Sequence, residues 1–141
     1  MHAIHFNQRP PDFTFPTGSG NERLSALVGT PVVINFWATW CHACVDEMPL
    51  FERLTPAYGK LIAVITVSNE AAGVAQTFLV QRGLGLPLLE DPAGAIFSAY
   101  SVENYPVTVV VDSRGEVSYV SVGGLDWSEL SGAVDKALAT K

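Results

Sequence analysis

The chain has 141 residues, 48% of them hydrophobic and 16% charged, with a formal net charge of -6 at pH 7. This length and apolar content predict a single domain over residues 1–141 with one buried core. The Pro-rich stretch RPPDF at the N-terminal edge is linker-like, and residues 1–10 are expected to be flexible. The 8 Lys and Arg residues are spread thinly along the chain. This disfavours nucleic acid and anionic membrane surfaces as partners, because both need a concentrated basic surface.

Hydrophobic periodicity predicts strands and helices in alternation. The stretch PDFTF (11–15) is typical of a short strand, and NERLSALVG (21–29) of one or two helical turns. The continuous apolar run PVVINFWA (31–38) is rich in β-branched residues. Such a run favours a strand that is buried on both faces of a sheet.

The helix after this strand is predicted from about His42 to Tyr58, with a kink at Pro49 and an end at Gly59. The remaining predictions are, in chain order, a strand (60–68), a helix (70–83), a short strand within a loop (84–94), a short helix (95–102), a strand (107–112), a hairpin return strand (117–124) and a helix (126–141) with Asp126 and Glu129 at capping-box spacing. This alternation predicts an α/β fold, with a central mixed β-sheet flanked by helices.

No apolar run approaches the ~18 residues of a membrane-spanning helix. The first residues, MHAIHFNQRPPDF, lack a basic segment followed by an apolar one, so we expect no signal peptide among them. The chain is then either cytoplasmic or a mature domain cut from a longer precursor, and the residues leave both open.

Both cysteines of the chain lie in the stretch FWATWCHACVDEMP, as Cys41 and Cys44. A purely structural bridge would close a loop of about four residues and contribute roughly 2 kcal/mol, which a chain with this much core does not need. A structural zinc site commonly needs two such pairs. Here the only further candidates are His42, His2 and His5, so no metal site is expected.

A redox role has a physical basis in the position of the pair. The pair follows a buried strand and opens a helix, where unpaired N–H groups and the helix dipole favour an anion. Cys41 is then expected to have a lowered pKa, and Cys44 lies one turn on, close enough to attack a mixed disulfide. A C-x-x-C motif beside a βαβ pattern indicates this chemistry.

The segment VVINFWATWCHACVDEMP resembles the active-site segment of the thioredoxin superfamily, and more narrowly that of the TlpA/ResA/CcmG (DsbE) family of extracytoplasmic thiol-disulfide oxidoreductases. The W-C-x-x-C-x-x-E-x-P pattern of that family is matched by Trp40, Cys41, Cys44, Glu47 and Pro49. The segments PDFTFPTGSGNERLSALVGTPVVINFW and YPVTVVVDSRGEV also resemble the family, and the likeness covers residues 10 to 139. It implies a thioredoxin fold with an N-terminal β-hairpin extension and a central insertion.

The resemblance also implies roles for individual residues. Cys41 is the attacking thiol, Cys44 resolves the mixed disulfide, and Glu47 is the acidic residue that takes the proton from Cys44. A partly buried carboxylate in that position would have a raised pKa, whereas the alternative is a solvated helix glutamate. Ordinary thioredoxins have a buried Asp where this chain has Asn35, and an amide cannot replace it in proton transfer.

Three residues are expected to shape the substrate groove. Pro106 matches the family's cis-proline, and the backbone of Tyr105 is then expected to pair with an extended substrate segment. Trp40 is expected to flank the Cys41 sulfur as an apolar platform. Val107 stands where the family often has Thr.

The two residues between the cysteines depart from the common pattern of the family, because Ala43 stands where many members have proline. A protonated His42 would stabilise the Cys41 thiolate and make the pair a stronger oxidant than thioredoxin. The alternative is a solvent-exposed His42 with little coupling to the pair.

The resemblance implies exchange of disulfides with extracytoplasmic protein substrates, as a reductant for cytochrome c maturation or as a disulfide donor. It implies no cofactor beyond the Cys41–Cys44 pair, an upstream redox partner, a monomer, and a membrane tether only through a segment absent from this chain. Two alternatives stay open. One is peroxide reduction of the peroxiredoxin kind, although FWATWC lacks the proline of that active site. The other is a haem- or metal-binding module with Cys41 and His42 as ligands.

Overall fold

The computed structural model describes residues 4–17 and 20–140. In this part of the chain the strands are β1 (Thr14–Thr17), β2 (Gly20–Arg23), β3 (Val32–Phe36), β4 (Ala63–Ser68), β5 (Leu88–Glu90), β6 (Val107–Val111) and β7 (Val117–Val122). The α-helices are α1 (His42–Tyr58), α2 (Val74–Gln81), α3 (Ala95–Ala99) and α4 (Trp127–Ala139), and two 3₁₀ turns span Leu24–Leu27 and Gly59–Leu61. None of these helices is long and apolar enough to cross a membrane.

The central sheet has five strands in the order β5-β4-β3-β6-β7. β3 lies in the middle, parallel to β4 and antiparallel to β6, and all five of its residues are buried. β5 is parallel to β4 at one edge, and β7 forms a hairpin with β6 at the other. The predicted mixed sheet and the doubly buried strand are therefore confirmed.

Alternate residues of β3 point to two separate hydrophobic clusters, as the two-residue repeat of a strand requires. Val33 packs in the cluster that contains the buried faces of α1 and α4. Ile34 and Phe36 pack in the cluster on the other face, with Phe97 of α3 and Phe15 of the N-terminal hairpin. This double coverage explains why β3 is an uninterrupted apolar run.

The N-terminal segment differs from the periodicity-based prediction. The helical turns expected over residues 21–29 are wrong at their start, because residues 21–23 lie in β2 and pair antiparallel with β1. Only Leu24–Leu27 is helical, as a 3₁₀ turn. Phe15 of β1 lies opposite Glu22 of β2 and is buried, so the hairpin contributes an apolar side chain to the core. The hairpin extension that the family resemblance implied is present.

Other boundaries shift by a few residues. α2 begins at Val74 rather than at residue 70, and β4 begins at Ala63 rather than at residue 60. The predicted bounds of α1 and the capping box of α4 are confirmed, since α1 runs from His42 to Tyr58 and both hydrogen bonds of the box are made. The kink at Pro49 stays a prediction. β5 and α3, which lie between α2 and β6, form the expected central insertion.

Part of the expected flexible end lies outside the described residues, namely residues 1–3. Just after it, the backbone runs beside β7. The Asn7 N–H donates to the Val117 carbonyl at 2.9 Å, and the Val117 N–H donates to the Gln8 carbonyl at 2.9 Å. The flexibility of residues 1–10 stays a prediction.

Candidate active site

Cys41 and Cys44 are joined by a disulfide at the start of α1, with their Cα atoms 5.2 Å apart. Cys41 is the N-cap residue, and its sulfur accepts a hydrogen bond from the Cys44 N–H at 3.2 Å. An N–H group pointing at this sulfur, together with the helix dipole, favours the thiolate when the pair is reduced. Cys41 is 8% exposed and Cys44 is 1% exposed, so a thiol from solvent reaches Cys41 first.

The sheet brings the cis-proline to the same end of the molecule. The Tyr105–Pro106 peptide bond is cis. Because β3 and β6 are antiparallel with Phe36 opposite Val107, the residues that follow β3 lie beside those that precede β6. Pro106 thus lies at the end of the sheet where β3 ends and the chain continues to Cys41. Val107, the departure from the family pattern, is buried in the sheet.

Aromatic side chains line the surface between these two loops. Trp40 is 68% exposed, and the centroid of its ring lies 5.1 Å from the centroid of the Tyr105 ring. The ring of Tyr105 in turn packs edge-on against that of Phe97, with the two ring centroids 5.6 Å apart. Trp40 and Tyr105 therefore form an apolar surface beside the disulfide. Trp37 is fully buried and belongs to the core.

Glu47 lies on α1, three residues after Cys44, and is buried. The residue is 6% exposed. Its Oε2 accepts the Leu125 N–H at 2.8 Å, and its Oε1 is buried without a hydrogen-bond partner. Burial raises the pKa of Glu47, the Leu125 hydrogen bond partly opposes this, and the negative charge of Glu129 adds to it. The solvated-glutamate alternative is therefore wrong, and the carboxylate is suited to hold a proton.

Asn35 lies in the middle of β3 and is 1% exposed. Its Nδ2 donates to the Thr108 hydroxyl at 3.3 Å. An amide in this position is neutral at any pH and cannot take a proton from a thiol. Glu47, three residues after Cys44 on α1, is a buried carboxylate, and its role in proton transfer stays a prediction.

His42 and Ala43 are both exposed on the first turn of α1. His42 lines a shallow surface cleft with Trp40, Asp46 and Arg82. Among residues 4–17 and 20–140, no group of three or more His, Cys, Asp or Glu side chains is arranged to hold a metal ion. His2 lies outside the described residues.

Two features of the site were missed by sequence reasoning. The first is Glu70, whose carboxylate accepts the Thr39 N–H at 2.9 Å, the Thr39 hydroxyl at 2.6 Å and the Ser68 hydroxyl at 2.9 Å. It fastens the loop before Cys41 to the end of β4. A signal for this contact was available in the sequence. Glu70 follows the buried strand β4, whose parallel neighbour β3 leads into the loop before Cys41.

The second missed feature is the turn between β7 and α4. The Gly123 N–H donates to the Pro106 carbonyl at 2.8 Å, and the Leu125 N–H holds Glu47. Both contacts are made by backbone N–H groups, which leave no side-chain pattern in a sequence.

Comparison with known proteins identifies the class of this one. Residues 6–120 match the AhpC/TSA family. The chain is 34% identical over 138 residues to the thioredoxin-like protein YneN of Bacillus subtilis, which covers 94% of this chain and 81% of the relative. It is also 34% identical over 125 residues to the thiol-disulfide oxidoreductase ResA of Geobacillus kaustophilus, which covers 86% and 71%.

A solved structure gives the same result for the fold. A Chlorobium tepidum protein assigned as the thiol:disulfide interchange protein DsbE superposes with a TM-score of 0.84 at 29% identity, covering 95% of this chain and 98% of the other. The chain therefore belongs to the AhpC/TSA family of thioredoxin-like proteins. With its Cys41–Cys44 pair it is a thiol-disulfide oxidoreductase of the ResA/DsbE type.

Proposed function

We propose that this oxidoreductase exchanges disulfides with protein substrates outside the cytoplasm and needs no cofactor beyond the Cys41–Cys44 pair. The observation that carries the proposal is the placing of this pair at the N-terminus of α1, beside cis-Pro106 and the exposed ring of Trp40. The resemblance to the TlpA/ResA/CcmG family supports the extracytoplasmic setting. It also supports a monomer that is recharged by an upstream redox partner.

The exchange starts at Cys41. In the reducing direction, the Cys41 thiolate attacks one sulfur of a substrate disulfide, and the other substrate sulfur leaves as a thiolate. Cys44 then loses its proton to Glu47 and attacks the Cys41 sulfur. The Cys41–Cys44 disulfide forms, and the second substrate sulfur leaves. The substrate gains two electrons and the pair loses two; the oxidising direction is the reverse.

The groove around the pair fits an extended peptide. The backbone of Tyr105, next to cis-Pro106, pairs with the substrate as an added strand would. The rings of Trp40 and Tyr105 cover the apolar side chains next to the substrate cysteine.

The reduction potential decides the direction of electron flow. We would equilibrate the protein in glutathione buffers and trap the thiols. A value well below ~-220 mV, the glutaredoxin range, supports a reductant of the kind that serves cytochrome c maturation. A value nearer the ~-120 mV of a strong oxidase supports a disulfide donor, with His42 contributing. A pair that does not exchange at all would contradict the proposal.

Two variants test the order of the thiols. Cys44→Ser should accumulate a mixed disulfide with a substrate protein, whereas Cys41→Ser should trap none, since the buried Cys44 sulfur is not reached from solvent. A peroxide-consumption assay with a thiol donor separates this activity from peroxide reduction. Peroxide turnover faster than disulfide exchange would overturn the proposal.

A further inference from the structure

The turn between β7 and α4 touches both halves of the site. Gly123 donates its N–H to the Pro106 carbonyl, and two residues later Leu125 donates its N–H to Glu47 Oε2. Each contact is 2.8 Å long. Directly after Leu125, Asp126 caps α4 and fixes the direction of the chain. The turn is thus held by the cis-proline loop, by the buried carboxylate and by the helix that follows.

Gly124, between these two donors, lies against the carboxylate. A Cβ atom at this position would stand 3.3 Å from Glu47 Oε2, which is closer than most contacts of real Cβ atoms. The backbone of Gly124 does not have a positive φ, in contrast to Gly123 at 95°. The space next to the carboxylate, and not the backbone conformation, therefore favours glycine at position 124.

The two oxygens of Glu47 consequently differ. Oε2 is held by the Leu125 N–H, and Oε1 is buried without a partner. A buried polar atom without a partner is costly and needs an explanation. Oε1 belongs to a carboxylate three residues after Cys44 on α1, so a proton carried on this oxygen is the explanation that the proposal below develops.

We propose that Gly123–Leu125 is a positioning element for Glu47, in which the Leu125 N–H fixes Oε2, Gly124 leaves room for it, and Oε1 is left to take the proton of Cys44. This inference rests on the proposed exchange reaction. The proton passes from the Cys44 thiol to Oε1, and the resulting thiolate attacks the Cys41 sulfur of the mixed disulfide. The leaving substrate thiolate takes its proton from water.

The charges near Glu47 are few. Glu129 acts on it from α4, and the Leu125 N–H dipole comes from the turn before α4. On its own helix, Cys44 lies three residues before Glu47, and the other ionisable side chains of α1 are His42, Asp46, Glu52, Arg53 and Tyr58. We expect a methyl group at position 124 to push Glu47 Oε2 by a few tenths of an ångström, which weakens its hydrogen bond from the Leu125 N–H, and to desolvate the carboxylate further. Both effects raise the pKa of Glu47.

The test is Gly124→Ala, with Gly85→Ala and Gly132→Ala as matched controls, because a Cβ at either control position meets no atom within 4 Å and neither residue has a positive φ. The Glu47 side-chain carboxyl is titrated by ¹³C NMR in the reduced protein. We expect its pKa to rise by about one unit in Gly124→Ala, the effect of weakening one hydrogen bond to a charged group. Neither control should change it.

Exchange kinetics give the second measurement. Reduced protein is mixed with the aromatic disulfide DTNB, which releases one thiolate when Cys41 attacks and another when Cys44 resolves. The midpoint of the pH profile of the second phase should rise by about one pH unit in Gly124→Ala. Below that midpoint its rate should fall about tenfold. The first phase should be unchanged.

The outcomes separate this inference from the proposed function. An unchanged Glu47 titration in a folded Gly124→Ala variant overturns the positioning element. A second phase that Glu47→Gln leaves unchanged overturns the proton-transfer role, whatever Gly124→Ala does. If Gly124→Ala does not fold, the Leu125 amide proton of the unmodified protein is followed instead. It should titrate with the midpoint of Glu47, and a flat profile would contradict the inference.

Discussion

Glu47 and Asp112 are both buried carboxylates, at 6% and 4% exposure, but their surroundings differ. Asp112 follows β6, and its Oδ1 accepts two backbone N–H groups, from Arg114 at 2.9 Å and from Glu116 at 3.1 Å. Glu47 accepts one N–H group on one oxygen, and its other oxygen has no partner. The carboxylate of the β6–β7 turn is anchored by two backbone N–H groups, whereas Glu47 is anchored through one oxygen only.

The number of hydrogen bonds that a buried carboxylate accepts therefore distinguishes a structural carboxylate from a reactive one better than its burial does. Among residues 4–17 and 20–140, the buried side-chain nitrogen and oxygen atoms without a partner are Glu47 Oε1 and Trp37 Nε1. One of these two lies at the site where a proton must move. The following predictions test the comparison, from the largest expected effect to the smallest.

Glu47→Gln should have the largest effect on the reaction. Removing a positioned proton acceptor typically costs 10² or more in rate. We expect the release of the second thiolate from DTNB to slow about 10²-fold at pH 7, with the first phase unchanged. Stopped-flow measurement of both phases checks this, and equal slowing of the two would contradict it.

The same variant has a pH-dependent effect on stability. Because the pKa of Glu47 is raised above its ordinary value of 4.5, the folded state holds this proton more tightly than the unfolded chain. The resulting stabilisation is present below pH 4.5 and is lost as the pH rises through the folded-state pKa. The free energy of unfolding should therefore fall relative to that of Glu47→Gln as the pH rises, as measured by urea unfolding at several pH values.

Asp112→Ala should have the opposite signature. It leaves two backbone N–H groups without their charged acceptor, which costs about 2–3 kcal/mol of unfolding free energy. Asp112 lies at the end of β6 away from Pro106, so both DTNB phases should keep their rates. Urea unfolding and stopped-flow on the same samples check this, and a changed pH profile would remove the distinction between the two carboxylates.

Glu70→Gln should affect both the stability and the exchange rate, each less strongly than the previous two variants do. The amide oxygen can still accept the Thr39 N–H, but the amide NH2 group cannot accept the Thr39 hydroxyl proton, and the remaining hydrogen bond is weaker without the negative charge. We expect a loss of about 1 kcal/mol in unfolding free energy and a several-fold slower first phase, because the loop before Cys41 is held less firmly. A slower second phase with a normal first phase would be inconsistent with this role.

His42→Ala should have the smallest effect. The side chain is exposed, and exposed charges contribute at most about 1 kcal/mol, which corresponds to ~20 mV for a two-electron couple. The reduction potential should fall by about 10–20 mV, and the difference should shrink in 1 M salt. No change at either salt concentration would favour the alternative in which His42 is uncoupled from the pair.

The sequence predicted the elements that depend on local order. The apolar run of β3, the helix from His42 to Tyr58 and the capping box at Asp126 each depend on neighbours within a few residues, and all three are confirmed. The prediction failed at residues 21–23, where pairing with β1 overrides a weak helical pattern. Strand pairing is a tertiary effect, so local periodicity carries little information about it.

The sequence by itself determined the chemistry of this protein, namely two cysteines one helical turn apart at the point where a buried strand gives way to a helix. The tertiary structure alone decided how that chemistry is controlled. Glu47 is held by an N–H group 78 residues away, and Glu70 reaches the loop before Cys41 across 31 residues. Burial and hydrogen-bond supply set the pKa of a carboxylate, and both come from groups that only the folded chain brings together.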